Sequence, residues 1–298
     1  MAYLLQQFAN AAPQAAAYAL LAFGYAVSFA VVRRADVSYG ALAAFAGQLL
    51  ILFTGFGWNV LWLTLPAALA VGAFGALAYT LGAGAAIGRL VLRPLSRASS
   101  NMAMVAALGV TIVLMESARL AAGARSLWLP PLLQQRVVFW RGADGAVALT
   151  GMQVVNTVAM TALVLAGGLV LARTRFGRDW RAVRDDALAA QLCGVDAGRV
   201  FLAAYMGAVL AAALAGMMTT AYYGAMDSGD GLLMGLKILM IGAVGGYGSP
   251  LASAGGAAAL AFAETYWTAF APLVWREPAV FAALIFLLNV TRRARLSS

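Results

Sequence analysis

AAPQAAAYALLAFGYAVSFAVV, residues 11–32, runs for 22 positions without a charge, and Arg33 and Arg34 follow it at once. As a helix rising about 1.5 Å per residue it would be roughly 33 Å long, enough to cross a hydrocarbon core of about 30 Å. Runs of this kind recur along all 298 residues. The composition agrees: 63% of the chain is hydrophobic, only 10% is charged, and mean hydropathy is +0.86. A soluble domain needs about 25% charged residues to cover itself, so the solvent for most of this chain is lipid. In lipid only helices or closed barrels satisfy their own backbone polar groups, and the unbroken runs select helices. Residues 1–10 contain no Lys or Arg, so the first run lacks the basic leader of a cleaved signal peptide and reads as a retained span.

The formal charge of +9 comes from nineteen arginines and one lysine gathered between the apolar runs. Arg33 and Arg34, then Arg89, Arg93 and Arg97, six more at 173–199, and Arg292, Arg293 and Arg295 mark cytoplasmic ends under the positive-inside rule. Nucleic acid as a partner is excluded, because the basic residues share no solvated face with interleaved aromatics. The sequence predicts an all-α, polytopic bundle of about eight transmembrane helices in a single domain, 1–298, with the N-terminus outside and the C-terminus cytoplasmic. From outside, the apolar segments are 11–32, 37–54, 59–87, 102–122, 151–172, 200–224, 231–244, 251–271 and 279–290. The 14-residue segment 231–244 reads as a full crossing, since a re-entrant half-helix would put the arginine-rich tail outside. Residues 123–150 read as an outside segment with an interfacial helix that sets Trp128 and Trp140 at headgroup depth.

One polar island interrupts the pattern: RTRFGRDWRAVRDDALAAQLCGVDAGR, residues 173–199. Asp186 is placed to cap a short helix over Ala187, Leu188, Ala189, Ala190, Gln191, Leu192 and Cys193, and Gly194 to close it in the left-handed conformation. Asp196 then offers a cap for the helix that returns to the bilayer. A short helix punctuated at both ends between two spans is shaped to dock a soluble partner. An amphipathic helix resting on anionic headgroups is the plainer alternative.

These stretches together resemble the permease subunits of ATP-binding-cassette importers for branched-chain and other hydrophobic amino acids. The resemblance rests on 20–34, Leu92-Arg93-Pro94-Leu95, Ala107-Leu108-Gly109-Val110-Thr111, the island, Gly235-Leu236-Lys237, Gly245-Gly246-Tyr247-Gly248-Ser249 and Gly255-Gly256. It implies a bacterial plasma-membrane protein forming half of a translocation pathway. The implied partners are a second homologous permease, two cytoplasmic ATPase subunits and an extracytoplasmic substrate-binding protein. It also implies that Asp186–Gly194 is a coupling helix. Ala187 stands where such helices usually have proline and Leu188 where they have an acid. At the second span Asp36-Val37-Ser38-Tyr39-Gly40 is closer to the pattern of related sugar permeases.

Ionisable groups within apolar segments are functional candidates, because burying them costs at least a few kcal/mol. Lys237 and Glu264 stand out. Lys237 would attract a substrate carboxylate, pair with Glu264, or snorkel to the interface. Ser38 and Tyr39 are further pathway candidates at the inner mouth, where Asp36 would cap the second span and pair with Arg33. Glu116 and Arg119 read as an i,i+3 pair, and Gln48, Thr111, Asn156 and Thr157 equally as interhelical hydrogen-bonding groups or as polar lining of a translocation path. No catalytic residue, cofactor or metal site is expected: there is no histidine, one cysteine, and no phosphate-cradling Gly-x-x-x-x-Gly-Lys motif. Alternatives are a permease for urea, short amides or sugars, an ion-coupled secondary transporter, and a non-transporting scaffold.

Overall fold

The computed structural model describes residues 2–95, 99–123, 128–142, 145–227, 229–245 and 249–296. The chain forms α1 (Ala2–Val32), α2 (Ser38–Asn59) and α3 (Leu65–Ile87), which runs through a π turn (Gly88–Leu92) into α4 (Arg93–Leu95). Next come α5 (Ser100–Ala121), the strands β1 (Arg136–Gly142) and β2 (Gly145–Thr150), α6 (Gly151–Arg173), α7 (Arg175–Asp185) and α8 (Ala187–Leu192). The chain closes with α9 (Ala197–Tyr223), α10 (Asp230–Gly245), α11 (Pro250–Phe270) and α12 (Arg276–Leu296). Arg97, Ala143, Asp144 and the 246–248 part of the glycine-rich turn lie outside the described residues.

The protein is a polytopic helical membrane protein. Among the described residues six helices are long and apolar enough to cross a bilayer: α1, α2, α3 with its extension to Leu95, α5, α6 and α9. At 16 residues α10 is roughly 24 Å long, short of the hydrocarbon core. The sequence count also needs correction: each crossing changes side, so an outside start and an inside end require an odd number, not eight.

Burial sorts the helices. The most apolar window of α1 is 83% buried and those of α2 and α9 are 67% buried, against 22% for α3, 28% for α5 and 17% for α6. The first three therefore form the centre. The outer three keep apolar side chains such as Phe74, Val105, Ile112, Val158 and Leu165 exposed. In water such a surface would be a liability; in lipid it is the ordinary outer face of a bundle.

Small residues bring the central helices together. A Cβ on Gly40 would collide with the backbone of Gly231 and Gly235, so α2 and α10 cross with almost no side chain between them. Gly216 makes the same approach to Ala43 between α9 and α2. Such contacts recover dispersion energy where the hydrophobic effect gives helices no reason to associate.

Long-range hydrogen bonds order the two ends of the bundle. Gln6 near the start of α1 clips Ala148 of β2, accepting from its amide at 2.9 Å and donating to its carbonyl at 2.9 Å. Tyr266 and Tyr3 join the far end of α11 to the start of α1. At the other end of α1, Trp180 of α7 donates to the Val27 carbonyl at 3.0 Å. The 128–150 segment and the polar island thus lie at opposite ends of α1.

Two features depart from the sequence reading. Residues 136–150 form an antiparallel hairpin, Arg136 opposite Thr150 and Gly142 opposite Gly145, instead of an interfacial helix. Val-Val-Phe-Trp at 137–140 prefers the pleated surface, and Gly142 and Gly145 pair at the end of the ladder, so strand chemistry outweighed the aromatic-belt argument. The island contains a second helix, α7, signalled by Phe176, Trp180 and Val183 at i, i+4 and i+7 with arginines between them.

Candidate functional site

The island is built from caps. Thr174 accepts from the Gly177 amide and starts α7. Asp186 is extended, with φ −148° and ψ 109°, and its Oδ1 accepts from Leu188 N at 2.8 Å and Ala189 N at 3.1 Å. The Ala189 and Leu188 amides hold its carboxyl below the usual carboxylate range. Gly194 has φ +87°; its amide donates to the Gln191 carbonyl and that of Val195 to the Ala190 carbonyl, both at 3.0 Å. That pair of bonds is a Schellman closure. Asp196 accepts from Arg199 N at 3.0 Å and starts α9. Each cap read in the island is present.

Anchors hold this assembly to the bundle. Trp180 and Val183 are buried against α1, and Arg33, itself in the left-handed region at φ 52°, donates to the carbonyls of Arg184 and Asp185. Arg33 is thereby occupied with α7, whereas the sequence reading paired it with Asp36. On α8 only Ala190 is buried; Ala187, Ala189, Gln191 and Gly194 are exposed, and Leu188 and Leu192 form an open apolar knob at 69% and 84% exposure.

Within the bundle the structure brings Lys237 and Glu264 together. Lys237 Nζ on α10 lies 3.1 Å from Glu264 Oε1 on α11 and 2.8 Å from Glu277 Oε2 at the start of α12. Tyr18 and Gln14 on α1 donate to Glu264 Oε2 at 3.0 and 2.9 Å, and Arg276 donates to Glu277. Four helices are thus tied by one network. Lys237 already serves two carboxylates, so it is poorly placed to receive a third from a substrate. Arg276 and Glu277 were missed in the sequence because they precede the last apolar run and read as its polar flank. Lys237, Glu277, Gln14 and Tyr18 face a cavity of about 400 Å³ whose other walls include Asn156, Met160 and Tyr222.

Ser38 and Tyr39 are elsewhere. Both are 1% exposed, packed with Asp36, Tyr25 and Tyr205 between α1, α2 and α9, and neither lines that cavity. Asp36 Oδ1 accepts from Ser38 N at 3.0 Å and from Ser38 Oγ, closing the first turn of α2 from one residue before Val37. Burial pushes its carboxyl above the ordinary range, and the Ser38 bonds oppose that shift.

The smaller expectations divide. Glu116 and Arg119 pair as i,i+3. Asn156 reaches the Met218 carbonyl at 2.8 Å and Gln48 that of Met226 at 3.4 Å, both beyond their own helices. Thr111 and Thr157 bond back to their own helices instead.

The family model described as branched-chain amino acid transport system, permease component, matches residues 7–289. The chain belongs to this family. Among its relatives, the high-affinity branched-chain amino acid transport system permease protein LivH of Escherichia coli is 26% identical over 292 residues, covering 97% of this chain and 94% of LivH. BraD of Pseudomonas aeruginosa, also named a permease protein of a high-affinity branched-chain amino acid transport system, is 25% identical over 291 residues, 96% of this chain and 93% of BraD. The autoinducer 2 import system permease protein LsrC of Klebsiella pneumoniae is 36% identical over 136 residues, 43% of this chain and 39% of LsrC. No solved structure matches. The capped island and the buried ion network therefore sit in a membrane permease component.

Proposed function

We propose that this protein is one transmembrane unit forming half of the pathway of an ATP-driven importer for branched-chain or other hydrophobic amino acids. A second permease completes the pathway, an extracytoplasmic binding protein delivers substrate at the hairpin end, and two ATPase subunits dock at the island end. The island end is cytoplasmic, as its arginines suggest, and the membrane is the plasma membrane of a bacterium. In this reading α8 (Asp186 to Gly194) is the peg that receives motion from an ATPase. The cavity beside Lys237, Glu264 and Glu277 belongs to the substrate path, and Ser38 and Tyr39 belong to the packed inner half that must part for release.

The observation that carries the reading is α8 itself: a six-residue helix closed at both ends, held to α1 through α7, with Leu188 and Leu192 exposed. A rigid peg transmits a displacement that a loose loop would absorb. The test is ATP-dependent uptake of labelled leucine by the complex reconstituted in vesicles. Leu188→Glu with Leu192→Glu should abolish ATPase retention and uptake while the permease still inserts and folds; retained ATPase and undiminished uptake would reject the docking role.

A second reading, import of a small hydrophilic solute, is favoured by Asp36-Val37-Ser38-Tyr39-Gly40 and by the partial likeness to LsrC. Uptake of a sugar but not of leucine by the same vesicles would select it.

A further inference from the structure

Asn156, in the second turn of α6 and on the wall of the 400 Å³ cavity, is 2% exposed. Its Nδ2 donates to the Met218 carbonyl on α9 at 2.8 Å, which fixes the amide and turns its oxygen the other way. Among the described residues that oxygen, Oδ1, has no hydrogen-bond partner. Buried carbonyls without one are rare, so a donor from a ligand is the natural complement. The cations of the wall already face carboxylates: Lys237 serves Glu264 and Glu277, and Arg276 serves Glu277. Charge then selects the kind of donor. Asp230 and Glu277 line the cavity, and Glu264 is bonded to three lining side chains, Gln14, Tyr18 and Lys237. Three carboxylates thus stand against Lys237 and Arg276. Asp230 itself accepts from the Asp227 amide and has no ion-pair partner among the described residues. The excess is negative, and the walls of a cleft focus its field.

We propose that this cavity binds the primary ammonium end of its ligand, with Asn156 Oδ1 accepting one N–H and Asp230 supplying the charge that draws the cation in. An ammonium brings three donors and no acceptor, which is what this wall lacks. A carboxylate end would meet the negative excess and leave Oδ1 unanswered. Met160, Leu233 and Met234 line the same cavity and suit an aliphatic chain, the thioethers adapting to its shape. An amino acid with an aliphatic side chain has both parts, and a sugar lacks the cation. The natural ligand is therefore named on the strength of the transport reading, whereas ammonium binding itself stands on the cavity alone.

The experiment is saturation-transfer-difference NMR on the purified full chain in lipid nanodiscs, with isoamylamine, leucine and isocaproate as probes. Empty nanodiscs subtract partition into lipid. Isoamylamine and leucine should receive saturation, and isocaproate should not. Asn156→Leu should weaken both amines about tenfold, the worth of one hydrogen bond to a charged group, and so erase their advantage over isocaproate. A role confined to the Met218 bond would lower Tm without changing that selectivity, and would overturn the proposal. Should Asn156→Leu not fold, Asp230→Asn, at an exposed position, should weaken both amines about threefold, as a solvent-screened charge does. The proposal is equally overturned if no probe binds the parent, if isocaproate binds as well as isoamylamine, or if equimolar sodium displaces the amine. Amine binding without ATP-dependent leucine uptake by the reconstituted complex would instead remove the transport reading and leave the ammonium site standing.

Discussion

Lys237 is 5% exposed and Glu264 1%, so neither charge has water to fall back on. Removing one partner of a buried pair typically costs about 3–5 kcal/mol, because the other charge is left uncompensated. Lys237→Met should therefore sharply lower the folded yield: Glu277 keeps Arg276, but Glu264 keeps only Tyr18 and Gln14. Adding Glu264→Gln should recover at least half of the loss, measured as monodisperse protein by fluorescence-detected size exclusion. Losses that simply add would show that the two are uncoupled. Asp36 makes the opposite case. Its proton is held more tightly in the folded chain than in the unfolded one, so stability should fall as pH rises above about 4 through the raised value. Asp36→Asn retains an acceptor for Ser38 and should flatten that fall, with Tm at neutral pH equal or higher. A Tm below that of the parent at neutral pH would mean that the ionised carboxylate is needed. Lys237 and Glu264 were legible in the sequence as charges out of place; their partner Glu277 was not, because only folding carries the start of α12 to α10.

At the scale of the element, α8 is too short to be stable alone, since nucleation is costly and isolated helices under about 12 residues are marginal. It exists because Asp186 and Gly194 punctuate it and α7 anchors it. Asp186→Ala with Gly194→Val removes both, the second by forcing a β-branched residue to φ +87°. The pair should lower substrate-stimulated ATP hydrolysis of the reconstituted complex at least fivefold while leaving insertion and the far-UV helical signal intact. Undiminished stimulation would separate the caps from coupling. These caps were readable because they are local: a side chain reaching two or three amides ahead, a glycine taking a backbone angle others avoid. The hairpin was harder, since its aromatic residues suit an interface helix and a strand equally until Gln6 of α1 clips Ala148.

The whole molecule separates its hairpin and island by the length of α1, 31 residues or about 46 Å. Native Cys193 is exposed and should be modified by an impermeant maleimide only after the cells are opened. A cysteine at Gln134, exposed near the hairpin, in a Cys193→Ala background should react on intact cells. Reversal of that order would place the arginine-rich end outside and remove the docking argument with it. Apolar runs long enough to span, arginines at their inner ends and helix stop signals between them are properties of local sequence. By themselves they determined that this is a multi-pass helical membrane protein with a capped polar island. Which helices form the centre, that Gly40 lies on Gly231 and Gly235, and that Lys237 meets both Glu264 and Glu277 were decided only by the tertiary structure. The physical reason is that a lipid-facing helix and a buried one are equally apolar, so hydropathy cannot tell them apart. What distinguishes them is close packing and the pairing of charges far apart in the chain.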